Sequence, residues 1–360
     1  MATELGARAL EHLRWLVACD SQNPPRRPGA LVDRLVETLR PRLAVEVSDL
    51  GEGCVCVYAS RGQPRLLFNV HVDTVPVAPG WAGDPFALRV ASARAYGLGA
   101  CDIKGAAAAL LAAIEASEPN DVALLFTTDE EAGQGRCVAE FVARRLPFEA
   151  VIVAEPTSSL AVVEHRGVAT ATALFRGRSG HSSAASPGKS ALHALVGWAG
   201  EALAHAAAAE GRGGVRFNLG VVEGGQKPNM VAAEARARFG VRPAPGVDPA
   251  RVLAEFGALP GGEGASFATN FVGPPLPPAG APELAERARQ IASALGLPPG
   301  GAVDFWTEAA LFARAGYASL VFGPGDIARA HAPDEWVGLA ELAGAAETYA
   351  RVLRQEGALR

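Results

Sequence analysis

Residues 65–73 read RLLFNVHVD, residues 121–131 read DVALLFTTDEE and residues 148–156 read FEAVIVAEP. Each begins as an uninterrupted apolar run of strand length and passes directly into imidazole or carboxylate groups. Short apolar runs without alternation are the pattern of strands buried on both faces of a parallel sheet. Between the first two, residues 97–116 (GLGACDIKGAAAALLAAIEA) supply a glycine-rich turn and an alanine-rich helix that Asp102 could cap. The alternation predicts an α/β catalytic domain, a mainly parallel sheet flanked by helices. In open sheets of this kind ligands sit beyond the carboxyl ends of the strands, where these polar groups fall.

From Arg166 the texture changes. Residues 167–177 (GVATATALFRG), 189–209 (KSALHALVGWAGEALAHAAAA), 215–225 (VRFNLGVVEGG), 234–245 (EARARFGVRPAP) and 248–259 (DPARVLAEFGAL) read as strand, helix, strand, strand, helix. That order predicts an α+β, ferredoxin-like unit with an antiparallel sheet. Residues 272–283 (VGPPLPPAGAPE) look like a return linker, after which a helix at 283–296 and a strand at 317–325 resume the first pattern. The expected division is a catalytic domain from residues 1–165 and 284–360, interrupted by an inserted lid or dimerisation domain at 166–283.

A chain of 360 residues suits two domains. With 49% hydrophobic and 20% charged residues it is globular in composition. Its net charge of −5 gives no electrostatic case for nucleic acid or an anionic membrane, so the expected partner is a small molecule. The first twenty residues read as an amphipathic helix with Glu4, Arg8 and Glu11 among its apolar positions, not as a signal peptide. No apolar run reaches the ~18 residues of a membrane span. A cytoplasmic location is expected. Five scattered cysteines (Cys19, Cys54, Cys56, Cys101, Cys137) fit reduced thiols, with Cys54 and Cys56 in a strand core.

The strand-end groups are His71, Asp73, Asp102, Glu130, Glu131 and Glu155, joined by His331 in residues 323–336 (GPGDIARAHAPDEW). Mixed imidazole and carboxylate donors suit hard or borderline divalent cations. If Asp102 bridges two ions, His71 and Glu155 complete one set and Glu131 and His331 the other, leaving room on each for water, as catalytic zinc requires. Asp73, two residues beyond His71, is expected to hold its second ring nitrogen. Of the adjacent pair Glu130 and Glu131, one binds metal and the other is free to take the proton of a metal-activated water. The expected chemistry is amide hydrolysis.

The segments HVDTVP (71–76), GLGACDIKG (97–105), TTDEEAG (127–133), AEP (154–156), SGHSS (179–183) and GPGDIARAH (323–331) together resemble the M20 metallopeptidase and deacylase family, in order and across essentially the whole chain. KPNMVA (227–232) and FWTEAALF (305–312) are similar to its acetylornithine deacetylase branch. The resemblance implies two divalent ions, Zn2+ or Co2+, with Glu130 as general base on a metal-bridging water and the five ligands named above. It implies a homodimer through the inserted domain, with His181 of one subunit serving the other's site, and a cis peptide between Asp102 and Ile103. Substrate contacts are expected from Asn229, Arg242 and Gly323, with Glu308 and Trp306 lining the pocket for the distal group. Glu308 stands where many relatives have Asp. The implied reaction removes the Nα-acetyl group from an acetylated amino acid of arginine biosynthesis, N-acetyl-L-citrulline before acetylornithine, with succinyl-diaminopimelate or a dipeptide as more distant substrates.

Other classes fit less of the chain. A serine hydrolase would need the G-x-S-x-G elbow, which residues 177–183 (GRSGHSS) lack. Gly97 and Gly99 alone do not make a nucleotide site, and Gly99 is read as easing a tight turn into Asp102. A scaffold protein derived from an enzyme should have lost a ligand or the base, and none is missing here.

Overall fold

The computed structural model describes residues 4–25, 28–133, 135–184, 189–210 and 214–355. It divides into two compact units. Unit 1 comprises Met1–Val163, Glu283–Ala302 and Thr307–Arg360, and unit 2 comprises Glu164–Pro282 and Val303–Trp306.

Unit 1 opens with helices α1 (Glu4–Ala18) and α2 (Gly29–Leu39) and strands β1 (Ala44–Asp49), β2 (Val55–Arg61) and β3 (Leu66–His71). A short hairpin, β4 (Arg89–Ala91) and β5 (Arg94–Tyr96), leads to α3 (Lys104–Ser117), β6 (Val122–Thr127), α4 (Arg136–Ala143) and β7 (Ala150–Val153). The expected N-terminal helix is α1, its first three residues lying outside the described ones; it buries Leu13, Leu16 and Val17. The chain leaves for unit 2 through β8 (Val168–Arg176), β9 (Gly180–His181), α5 (Ala191–Glu210), β10 (Arg216–Gly224), β11 (Met230–Val231), β12 (Glu234–Arg242), α6 (Pro249–Gly257) and β13 (Ser266–Gly273). It returns through α7 (Pro282–Ala294), α8 (Ala309–Arg314), β14 (Ala318–Val321), β15 (Trp336–Gly338) and α9 (Leu339–Gln355).

The main sheet of unit 1 runs β1-β2-β6-β3-β7-β14. It is mixed: β3 pairs in parallel with β6 and β7, and β14 with β7, whereas β1, β2 and β6 pair antiparallel. Strands β3, β6 and β7 are buried along their whole lengths, as their unbroken apolar runs require. Helix α3 is buried from Lys104 to Ile114, and its alanines let α1 and α9 pack closely against it. Asp102 does not cap that helix; the cap position is Ile103, with no side-chain hydrogen bond, because the carboxylate is turned elsewhere. The peptide between Asp102 and Ile103 is cis, as expected. β3 lies between β6 and β7, so successive connections leave its two sides and their loops meet beyond its end.

Unit 2 has the strand, helix, strand, strand, helix, strand order of a ferredoxin-like fold, with a four-stranded antiparallel sheet ordered β10-β12-β8-β13. Trp198, Phe175, Phe239 and Phe256 fill the core between one face of this sheet and helices α5 and α6. The segment Val303–Trp306, expected in the catalytic domain, packs with unit 2. Arg166 N donates to Val303 O at 3.3 Å and Trp306 Nε1 to Pro274 O at 2.9 Å. Backbone pairing with a strand distant in sequence outweighs chain continuity there. Among the described residues, no helix is long and apolar enough to cross a membrane.

Trp198 is fully buried and its indole N–H donates to Phe256 O at 2.9 Å. Trp198→Ala should therefore cost about 3–5 kcal/mol, the usual loss for a large core aromatic. Chemical denaturation monitored by circular dichroism checks this, and a loss below about 1 kcal/mol would show that the aromatic core does not hold unit 2 together.

Candidate metal centre

Five segments of unit 1 converge at the carboxyl end of β3. His71 is that strand's last residue, and its Nε2 lies 3.2 Å from Asp102 Oδ1 and 3.4 Å from Glu155 Oε1. On the other side of Asp102, His331 Nε2 lies 3.3 Å from Oδ2 and 3.2 Å from Glu131 Oε1. The two oxygens of Asp102 therefore face two imidazoles, each accompanied by a glutamate. Ligand atoms of His71, Asp102 and Glu131 all lie within 4.8 Å of one another. His331 reaches inward from the loop after β14 with φ of 58°, a conformation uncommon for a residue bearing a side chain.

The donor chemistry fits divalent cations. Asp102 Oδ1 is buried and no group donates a hydrogen bond to it. The one thiol adjacent in sequence, Cys101, donates to Asp326 O at 3.3 Å and is pushed above its ordinary pKa by burial, so it stands outside the donor set. Electrostatics point the same way. Burial pushes Glu155 up to about 7, and Glu131 is raised by burial as well. Glu130 is raised well above the ordinary carboxylate range, first by burial and then by Glu155, Glu131 and Asp73, against the opposing pull of His71. Asp102 goes the other way despite burial, because His331 and His71 favour its charged form. His331, held by Asp102 and Glu131, rises to about 11. So many carboxyls cannot share this space as anions without added positive charge.

Asp73 does more than orient one ring. His71 Nδ1 is 3.1 Å from Asp73 O and 3.4 Å from Asp73 Oδ1, so the main-chain carbonyl is the nearer partner and the carboxylate assists. A proton held on Nδ1 leaves the Nε2 lone pair for metal. Asp73 Oδ2 accepts from Glu131 N at 3.1 Å and from Asn23 Nδ2 at 2.8 Å, tying the loops after β3 and β6 together.

Two buried groups that the sequence reading passed over complete the frame. Glu335 accepts backbone N–H groups from Gly99 at 3.0 Å and from Cys101 and Asp102 at 2.8 Å each, so its carboxylate holds the loop carrying Asp102. Asn23 braces Asp73. Glu335 sits in the quoted segment around His331, but nothing local marks a residue whose partners lie 233–236 positions away. Gly99, at φ +77°, makes the tight turn expected of it; a Cβ there would stand 2.7 Å from Thr74 Cγ2.

Gly323 lies after β14, where a Cβ would collide with the carbonyl oxygens of Ala154 and Glu155, and its own carbonyl accepts from Ser159 N at 2.8 Å. Glu308 is buried to 1% exposure, with Oε2 accepting from Thr127 Oγ1 at 2.9 Å and its carboxyl raised to about 8 by burial. That placement gives no support to the expectation that Glu308 reads a substrate side chain, since the carboxyl is turned inward to the end of β6. In unit 2, His181 and Asn229 are brought together: β9 pairs with β11, Ser182 N donates to Asn229 O at 3.1 Å, and both residues are exposed. Arg242 ends β12, exposed on the open face of its sheet.

Residues 67–355 match peptidase family M20/M25/M40. An N-acetyl-L-citrulline deacetylase of Xanthomonas campestris pv. campestris is 49% identical over 363 aligned residues, covering 98% of this chain and 99% of that protein. An acetylornithine deacetylase of Pectobacterium atrosepticum is 29% identical, covering 81% of this chain and 80% of that protein. A solved M20 family metallo-carboxypeptidase of Sulfolobus solfataricus superposes with a TM-score of 0.77 at 18% identity, over 97% of this chain and 99% of that one, which is a likeness of fold.

Removing the Glu335 carboxylate should release the loop that aims Asp102. Glu335→Ala is expected to weaken divalent-metal binding about 10–100-fold, the usual effect of losing a group that orients a metal ligand. Metal titration with a competing chelator measures this, and affinity equal to that of the unmodified protein would remove Glu335 from the frame.

Proposed function

The chain belongs to peptidase family M20/M25/M40, and from that membership we propose that it removes the Nα-acetyl group from an acetylated amino acid, N-acetyl-L-citrulline before others. One observation carries this reading: Asp102 stands between two imidazole and carboxylate pairs, with Glu130 next in sequence to Glu131 of one of them. The choice of substrate leans on the 49% identity to a protein of that name, against 29% to an acetylornithine deacetylase.

His71, Glu155 and Asp102 would hold one divalent ion, and Glu131, His331 and Asp102 a second, with Asp73 keeping His71 in the ligating tautomer. Two ions held there, zinc or cobalt, would polarise the acyl carbonyl and make water acidic enough to attack at neutral pH. Glu130 takes the proton of the attacking water as its oxygen bonds to the acyl carbon. It then passes that proton to the amide nitrogen as the carbon–nitrogen bond breaks, releasing acetate and the free amino acid.

We assign oxyanion stabilisation to His181 of a partner subunit, with Asn229 beside it. Support for pairing of two chains comes from unit 2 itself. β10 is an edge strand of its sheet, and α5 exposes Val196 (63%) and Leu203 (54%) beside Gly197 and Gly200, small residues that allow close approach.

A hydrolysis panel with zinc- or cobalt-loaded enzyme tests the substrate: N-acetyl-L-citrulline should give the highest kcat/KM, ahead of N-acetyl-ornithine, N-succinyl-diaminopimelate and a dipeptide. Higher values on any of the other three would reassign it. Glu130→Ala should keep both metals and lose at least about 10²–10⁴ in kcat, and loss of metal from this variant would exchange the roles of the two glutamates.

Subunit sharing has its own test. His181→Ala and Glu130→Ala should each be nearly inactive, and mixing them should restore activity through heterodimers having one site with both groups intact. No recovery from demonstrably exchanging subunits, or an active monomer, would place His181 outside catalysis.

A further inference from the structure

Two thiols of unit 1 meet where α4 lies along β2, and the contacts on either side of them fix their register. Arg136 Nη1 donates to Cys54 Sγ at 3.7 Å, and the rings of Tyr58 and Phe141 stand 5.1 Å apart. Cys54, just before β2, and Cys56 and Tyr58 within it point to one face of the strand, while Cys137 and Phe141, four residues apart, share one face of the helix. Cys137 therefore falls opposite Cys56, and the two thiols are hydrogen-bonded to each other. Both are free thiols; Cys56 is 5% exposed and Cys137 is fully buried. Neither has a part in the proposed catalytic cycle.

The pair stands behind the loop that carries Glu130 and Glu131. Asp129 Oδ2 accepts from Arg136 N at 2.6 Å and from Cys137 N at 3.1 Å, so the first turn of α4 holds the residue before Glu130. From the other side Thr128 Oγ1 accepts from Val55 N at 2.8 Å and donates to Gly53 O at 2.9 Å, which ties the same loop to β2. Residues 128 and 129 are thus held between the two segments that the thiols join. Sulfurs in hydrogen-bond contact stand well outside the ~2.05 Å of a disulfide. Joining them draws the first turn of α4 toward β2 and takes Asp129 with it.

We propose that Cys56 and Cys137 are a peroxide-sensitive pair whose oxidation to a disulfide displaces the Glu130 and Glu131 loop and lowers activity. The loss of activity rests on the function proposed above; the cross-link itself does not. Cys56, the more exposed of the two, is oxidised first. Its sulfur takes one oxygen from hydrogen peroxide, an S–O bond forming as the O–O bond breaks, and leaves a sulfenic acid and one water. The Cys137 sulfur then attacks that sulfur, the S–S bond forming as the S–O bond breaks, and a second water leaves with the Cys137 proton. Two thiols and one peroxide give one disulfide and two waters. The Cys137 thiol is raised well above its ordinary pKa, first by its hydrogen bond to Cys56 and then by burial, so the resting pair stays reduced and responds only to sustained oxidant.

The test exposes the zinc-loaded enzyme, Cys56→Ala, Cys137→Ala and, for comparison, Cys19→Ser to hydrogen peroxide and then to dithiothreitol. Peptide mass spectrometry reads the cross-link; kcat on N-acetyl-L-citrulline and zinc affinity against a competing chelator read its effect. The expected result is a Cys56–Cys137 cross-link in the unmodified protein and in Cys19→Ser, with kcat lowered about 10²-fold, the scale of a 1 Å misplacement at a site. Dithiothreitol should reverse both, and the two alanine variants should keep their kcat through the same treatment. The mapping on unmodified protein stands whether or not either variant folds. No cross-link, one that joins Cys54 in place of Cys56, or a cross-linked form that turns over as fast as the reduced one overturns the proposal. Equal loss of kcat in the alanine variants also overturns it, because the damage would then lie at another group. An enzyme inactive on every acyl amino acid, whose Cys56–Cys137 cross-link nonetheless forms and weakens zinc binding about 10–100-fold, would sink the deacylase assignment and leave the thiol pair standing.

Discussion

Carboxylates held a few ångströms apart in a protein interior cannot all stay ionised without cations among them. Asp102, Glu130, Glu131 and Glu155 share such a space with two imidazoles; burial raises the three glutamates, while the imidazoles of His331 and His71 hold Asp102 in its charged form. Everything around the cluster serves to keep these groups together against their repulsion. β3 is paired on both sides, so His71 stands on a backbone that cannot drift. Asp73 ties that strand's end to Glu131, and Asn23 fixes Asp73 in turn.

Asp102 needs the firmest support, because its two oxygens face His71 and His331 in two directions at once. Asp102 sits on a loop whose N–H groups converge on the buried Glu335 carboxylate, four residues beyond His331. The segment carrying one imidazole thus also carries the anchor for the carboxylate between the two. Lys104, buried at the start of α3 with its ammonium donating to Cys19 O at 3.0 Å, fastens the next residues to α1. If a metal is held here, its affinity would depend on the packed loops as much as on the donor atoms.

Unit 2 solves a different problem. An antiparallel sheet can bury one face and leave the other to solvent, and here the sealed face takes Phe175, Phe239 and Trp198 while the open one takes arginine, asparagine and threonine. A firm aromatic core behind the sheet allows three guanidinium groups to be mounted close together in front of it. The same division leaves β10 as an edge and part of α5 apolar and exposed.

Much of this was legible along the chain. Unbroken apolar runs ending in His71, Glu131 and Glu155 announce buried strands that deliver polar groups to one end of a sheet, since strand period and burial are local properties of sequence. The alternation in residues 234–242 announces a half-buried strand for the same reason, and the glycine before Asp102 announces its turn. Other features depend on segments that meet only in three dimensions. Which oxygen of Asp102 faces His71 and which faces His331 is set only where the loops carrying them meet. That Glu308 lies beside Thr127 in the interior is likewise visible only in the folded chain. Val303–Trp306 follows unit 1 in sequence but pairs with unit 2, and Glu335 is anonymous until the loop it holds arrives from more than two hundred residues away. Composition and periodicity record what each residue prefers locally. Which distant backbone donors reach a buried carboxylate is decided by the packing of the whole chain, because only there does burial remove water as the alternative partner.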